Sequence, residues 1–298
     1  MIDLTEYGLK KNALNSESVE LSYSQSIYKL ECEIIMSNRT NIQQAAEAIY
    51  QSYLSGAPCD PIRDLLPEGD VDAAYQVQNI NTEKWLSEGR RLVGRKIGLT
   101  SKAVQTQLGV DQPDYGMLFA DMDVPGGEEV DIGVVLQPKV EAEIAFVLSQ
   151  DLDEERLTAA DMISAIDYAV AAIEIVGSRI ANWDIRILDT VADNASSGLF
   201  VLGHQPRKLS EFDPRHCGMI MERSGEPVSM GAGIACLGSP VTAALWLAKV
   251  MARVGRPLKK GDIILSGALG PMVPVSPGDV VEARIEGLGS VHAAFGAG

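Results

Sequence analysis

The chain has 298 residues, 46% hydrophobic and 22% charged, enough for one large globular domain or two moderate ones. A net charge of -16, from 41 acidic and 25 basic side chains, excludes polyanions such as nucleic acid from the expected partners. Four scattered cysteines (Cys32, Cys59, Cys217, Cys236) form no C-x-x-C pair and only three histidines accompany them, which excludes a zinc cluster and reads as free thiols. With no signal peptide and no apolar run of bilayer length expected, the chain is assigned to the cytoplasm with no membrane partner.

In chain order, residues 1–35 are polar and weakly patterned and read as an N-terminal extension, with the organised protein beginning near Met36. Residues 36–90 form a small helical N-terminal part. A helix over 41–55 is predicted from Ile42, Ala45, Ala46, Ile49 and Tyr53, with Gly56 at its exit. A second helix runs from about Val71 to Ser87, capped by Asp70 or Asp72. Residues 91–298 are read as a mixed β catalytic domain. It opens with the strand-like stretch 91–100, in which Lys96 lies among apolar residues and two glycines that mark close approach by a ligand or another backbone. A short helix capped near Ser101 follows, then a turn-rich loop carrying Asp111 and Asp114. Strands are expected over Val130–Leu136 and 137–148, a helix from Leu157 to about Tyr168, and an apolar run over 169–177. Residues 178–190 connect this run to the small polar loop 191–198. Ser239-Pro240 opens a strong helix to Val254. Two turn–strand units and a hairpin through Gly287-Leu-Gly289 end the chain.

Three acids stand out. Glu141 and Glu143 are two apart on a strand that reads as covered on both sides, so their carboxylates share one face and repel. Without a compensating cation one of them is driven to protonate; on a half-exposed strand the pair would simply be solvated. Glu174, flanked by Ile173 and Ile175, is costly unless paired, hydrogen-bonded or bound to metal. Three carboxylates without a neighbouring imidazole suit Mg2+ or Mn2+. No G-x-S-x-G elbow, no Cys–His motif and no G-x-G-x-x-G occurs, which argues against serine or cysteine nucleophiles and against a dinucleotide site.

Six stretches carry a resemblance: Gly94-Arg-Lys-Ile-Gly-Leu-Thr100, Gly109-Val-Asp-Gln-Pro-Asp-Tyr-Gly116, Gln137-Pro-Lys-Val-Glu-Ala-Glu143, Ile173-Glu-Ile-Val-Gly-Ser-Arg179, Asp189-Thr-Val-Ala-Asp-Asn-Ala-Ser-Ser-Gly198 and Gly261-Asp-Ile-Ile-Leu-Ser-Gly-Ala-Leu-Gly-Pro271. In order and spacing, over about residues 38–296, the chain resembles the hydratase/decarboxylase branch of the fumarylacetoacetate hydrolase superfamily. The resemblance implies an α+β fold, a mixed β-sheet roll with a small helical N-terminal part. It implies Glu141, Glu143 and Glu174 as ligands of a divalent metal, Mg2+ or Mn2+. It implies Lys96 and Asp114 as catalytic residues, and Asn194, Ala195, Ser196, Ser197, Ser266 and Gly267 as lining the substrate pocket. The implied substrate is a small 2-oxo acid in its dienol form, 2-hydroxypenta-2,4-dienoate, hydrated to 4-hydroxy-2-oxopentanoate during meta-cleavage degradation of aromatic compounds. Decarboxylation of 4-oxalocrotonate is the alternative. A homo-oligomer is implied, with a complex with a sister decarboxylase as a further option. Acylpyruvate hydrolysis assisted by histidine fits less well, because every histidine lies at or after position 204. A non-catalytic scaffold would have no need of such costly buried charges.

Overall fold

A computed structural model describes residues 16–296, which fall into two compact units dividing between Asn41 and Ile42. Residues 1–15 of the expected extension lie outside the described residues. Helix α1 (Ser16–Ser55) begins well before the helix expected at 41–55. From Ile42 onward its inward positions Ile42, Ala45, Ala46 and Ile49 keep the predicted spacing and are buried against Ala73, Ala74 and Val77 of α2 (Val71–Ser87). Asp70 caps α2 by accepting from Ala73 N at 2.9 Å. Leu188 and Val191 of α5 (Ile187–Ala192) complete this apolar cluster. That helix spans the end of the segment read as a connection and the start of the small polar loop, and the short helix expected after Ser101 is α3 (Lys102–Leu108).

Two sheets form the rest. The first runs β2 (Asp114–Phe119), β1 (Leu92–Gly98), β9 (Ile263–Leu265), β4 (Lys139–Leu148), β5 (Ile166–Val176), β6 (Leu199–Leu202), with β10 (Val273–Pro274) pairing the start of β4. The second runs β3 (Glu129–Val130), β12 (Gly289–Phe295), β11 (Val280–Ile285), β7 (Gly218–Arg223), β8 (Glu226–Ala232). Pairings are antiparallel except β1–β9 and β3–β12. The sheets meet along β5, β11 and β12, and Phe119, Phe146, Phe200, Ile144 and Ile173 are fully buried in the main core. Helix α6 (Pro240–Arg253) packs on β1 and on α4 (Ala159–Ala165) through its buried stripe of Ala243, Ala244, Leu247, Ala248 and Met251. This is the mixed α+β architecture expected.

Several elements differ from the sequence reading. Val130–Leu136 is a two-residue strand followed by a 3-10 turn over Ile132–Val134, started by Asp131 accepting from Gly133 N at 2.9 Å. The helix expected over 157–168 stops at Ala165, because from Ile166 onward the chain pairs with β4 in a ladder along nearly all of β5. Asp114 opens a strand rather than sitting in a loop. One described stretch, Gly233–Arg253, is long and apolar enough by length and composition to cross a bilayer, against an expectation of none. Its regular α-helical part is the 14 residues of α6, about 21 Å long and short of the roughly 30 Å hydrocarbon core.

The shortness of β9 positions the site. It lies between β1 and β4, pairing Leu265 with Lys96 on one side and with Ala145 on the other. Glu143 and Glu141 of β4, and Gly98 of β1, therefore fall beyond its last residue, where the sheet has no strand between its two neighbours.

Candidate active site

On β1, Lys96 and Gly98 point to one face, and the register sets Gly116 and Asp114 of β2 directly opposite them. Lys96 and Asp114 thus share a face on which their neighbours are glycines. The gap is needed: a Cβ on Gly98 would lie 2.2 Å from Asp114 Oδ1, and one on Gly116 would lie 2.2 Å from Asn194 O. On β4 the corresponding face reads Lys139, Glu141, Glu143, and Glu174 of β5 stands opposite Glu141.

These placements gather four carboxyl groups and one ammonium. Glu141, Glu143 and Glu174 each offer an oxygen within 4.8 Å of the others. Lys96 Nζ lies 3.0 Å from Glu174 Oε1 as a buried ion pair. Glu143 Oε2 accepts from Gly267 N at 2.8 Å, and Asp114 Oδ2 accepts from Thr190 Oγ1 at 3.3 Å. Glu143 Oε1, Asp114 Oδ1 and Glu174 Oε2 are buried without a hydrogen-bond partner, while Glu174 Oε1 has the Lys96 ammonium. Burial pushes Glu141 up to about 7 and Asp114 up to about 6, with Lys96 pulling both down. Glu143 is raised by burial and by the charges of Glu174 and Glu141, and Glu174 is raised by burial despite Lys96. Burial works against the Lys96 charge, but Glu174, Glu141, Asp114 and Glu143 outweigh it and raise its pKa above the usual range. A single ammonium does not neutralise this group. Three carboxylates with oxygens within 4.8 Å of one another, two of them buried with unpartnered oxygens, are a donor set that fits a hard divalent cation.

The cluster opens into a cavity of about 450 Å3. Lys96, Asp114, Glu141, Thr190 and Ser196 supply its polar lining, and Val104, Trp183, Ile185, Ala195, Leu269 and Met272 its apolar lining. Lys96 is the one basic side chain among the described residues that line it. A wider groove of about 860 Å3 on the second sheet shares Met230 and Gly231 with this cavity but none of the carboxylates.

The small polar loop is strained. Asn194, Ala195 and Ser196 have φ of 52°, 51° and 56°, three successive left-handed residues without glycine. Asn194 holds the loop to β2: its Oδ1 accepts from Met117 N at 2.7 Å and its Nδ2 donates to Met117 O at 2.9 Å. Arg179 closes the other side, donating Nη1 to Ser197 O and Nη2 to Asp193 O, both at 2.7 Å, while its Nε pairs with Asp193 Oδ1.

Of the residues singled out in the sequence, Lys96, Asp114, Glu141, Ala195 and Ser196 line one cavity, with Glu143 and Glu174 behind them. Asn194 and Ser197 face a neighbouring cavity of about 490 Å3 instead. Ser266 and Gly267 sit at the back of the glutamates, Gly267 through its amide and Ser266 buried with an unpartnered hydroxyl. Asp111 is exposed. Sequence reasoning missed Thr100, Trp183 and Thr190 as lining residues. Thr190 stands inside a stretch that drew notice, but a threonine in a polar run gives no signal that its hydroxyl reaches a carboxylate 76 positions away.

The family model described as fumarylacetoacetate (FAA) hydrolase C-terminal matches residues 95–295. The chain is 65% identical over 254 residues to the TodF product hydratase of Pseudomonas putida, covering 85% of this chain and 95% of the relative. It is 59% identical over 262 residues to 2-keto-4-pentenoate hydratase 1 of Dechloromonas aromatica, covering 87% of this chain and 100% of the relative. Among solved structures, 4-oxalocrotonate decarboxylase from Pseudomonas putida G7, complexed with magnesium and adipate, aligns with a TM-score of 0.82 at 38% identity, covering 86% of this chain and 98% of that one.

Proposed function

The chain belongs to the fumarylacetoacetate hydrolase family, and from that premise we propose that it is a hydro-lyase that adds water to 2-hydroxypenta-2,4-dienoate to give 4-hydroxy-2-oxopentanoate, in the meta-cleavage degradation of aromatic compounds. The observation that carries the reading is the cavity: its lining joins a carboxylate cluster, Lys96 and Asp114 to an apolar wall, with no second basic side chain among the described residues that line it. The hydratase names of the relatives support the same reaction. Decarboxylation of 4-oxalocrotonate is the second reading. Its substrate carries a carboxylate at each end, and the described lining of the cavity offers no basic group besides Lys96 to receive the second, so hydration is favoured.

Glu141, Glu143 and Glu174 would hold Mg2+ or Mn2+, which when bound supplies a Lewis acid for the substrate's carboxylate and 2-oxygen. Asp114 moves the proton. Burial places its carboxyl near neutrality at about 6, where a group both takes and gives protons. Thr190 fixes its Oδ2 and leaves Oδ1 for substrate or water. Protonation at C5 of the dienol gives the conjugated 2-oxo-3-enoate, and water then adds at C4. Lys96 remains charged through both steps and stabilises the negative charge that returns to the 2-oxygen. Ser196 and the backbone of the left-handed loop provide polar contacts at the wall, while the apolar side keeps bulk water from the diene. The same reading takes residues 36–90 and 91–298 as helical and catalytic parts, with 1–35 as an extension outside them. It assigns the enzyme to the cytoplasm as a homo-oligomer, and extends to a complex with a sister decarboxylase.

Product analysis tests the assignment. With Mg2+ present, the enzyme is expected to convert the dienoate to a product heavier by one water and to release no CO2 from 4-oxalocrotonate. The reverse pattern would reassign it as the decarboxylase.

A further inference from the structure

Trp183 is held in an unusual way. It has φ 54° and follows Asn182 at φ 60°, a left-handed backbone that is a genuine outlier for a bulky side chain. Such strain persists only where the surroundings over-determine it, and it clusters where a ligand must be met by a fixed surface. Here the indole Nε1 donates to Gln137 O at 2.9 Å, and Lys139 Nζ lies 4.0 Å from the ring centroid. Gln137 is itself left-handed at φ 53°, and its Nε2 donates to Ser178 O at 2.9 Å and Ile180 O at 2.7 Å. The ring is therefore locked from the backbone side, from the cation side and through its own N–H, and it lines the cavity beside Val176 and Ile185. Lys139 lies two residues before Glu141 on the same face of β4, so the ring's cationic partner and the first carboxylate of the cluster project from one side of the strand.

We propose that Trp183 is a specificity-determining residue, the rigid wall that limits chain length at the C5 end of the substrate. This rests on the hydratase reading for its orientation: a 2-oxo acid held by its carboxylate and 2-oxygen at the glutamates extends toward the ring. A short dienoate stops before the indole, and a bulky group on C5 collides with it. The strained backbone prevents the ring from swinging aside as an ordinary surface tryptophan would.

The test is calorimetric binding of two unreactive saturated acids, 2-oxopentanoate and 2-oxo-5-phenylpentanoate, with Mg2+ present, to wild type, Trp183→Ala and Trp183→Phe. Wild type is expected to prefer the short acid by about tenfold or more. Trp183→Ala abolishes the preference by admitting the phenyl acid, and Trp183→Phe, which keeps a ring but loses the bond to Gln137, falls between the two. Trp183→Leu replaces the alanine variant if that chain does not fold. The proposal is overturned if wild type binds both acids equally, or if the variants weaken both by the same factor. Turnover of the dienoate by wild type is measured in parallel. Binding without turnover rejects the hydratase assignment and leaves the length limit to be judged on the binding data.

Discussion

The roles proposed for Lys96 and Asp114 rest on how burial and neighbouring charges set their protonation. Burial pulls Asp114 up to about 6 while Lys96 pulls it back, and the carboxylates keep Lys96 charged against its own desolvation. Asp114→Asn and Lys96→Met are each expected to lower kcat for the dienoate by about 10²–10⁴-fold, measured by decay of the dienol absorbance. Asp114→Asn removes an incompletely partnered buried charge, so its melting temperature should hold or rise. A loss of stability matching the loss of rate would instead make Asp114 structural. At this scale the sequence was informative wherever a charge interrupted an apolar run, as at Lys96, Glu143 and Glu174. It was silent where an ordinary residue is brought in by the fold, as with Thr190 and Trp183.

The elements supply the distances. Gly98 of β1 makes room for the Asp114 side chain, Gly116 of β2 lets the left-handed loop approach, and the short β9 leaves room for the glutamates. Gly98→Ala would drive a Cβ to 2.2 Å from Asp114 Oδ1. It is expected to cost about 1–3 kcal/mol in urea unfolding, and to lower the rate more than that destabilisation alone would explain, because the side chain displaced is the proposed proton carrier. Asn194→Ala tests the loop. It leaves Met117 N without its side-chain acceptor and frees three left-handed residues, for an expected cost of about 1–3 kcal/mol. Unchanged stability would mean that the loop is held by Arg179 alone. Helices α2 and α6 were legible from capping and period, and β4 from its alternation. β5 was half-hidden, since 157–168 carries helix signals at one end and strand residues at the other, and only pairing with β4 decides between them.

At the scale of the whole molecule, a few buried charges couple stability to pH and to the metal. Glu141 titrates near 7 in the fold, above its unfolded value. Its protonated form therefore favours the metal-free fold below the unfolded pKa, and that contribution is lost as pH rises through about 7. Cation binding needs the deprotonated form, so the rise in melting temperature produced by Mg2+ should be larger at pH 8 than at pH 6, with protons released on binding. An equal rise at both pH values would place the cation elsewhere. The overall α+β architecture was legible through the six matching stretches, whereas the early start of α1 at Ser16 was not, because residues 16–35 lack a clean apolar period. The most direct measurement of the central claim is hydration of 2-hydroxypenta-2,4-dienoate by enzyme as purified, after EDTA, and after Mg2+ is returned. The account predicts turnover, its loss with the metal, and its recovery. Full-rate turnover by enzyme whose measured metal content is near zero would contradict it.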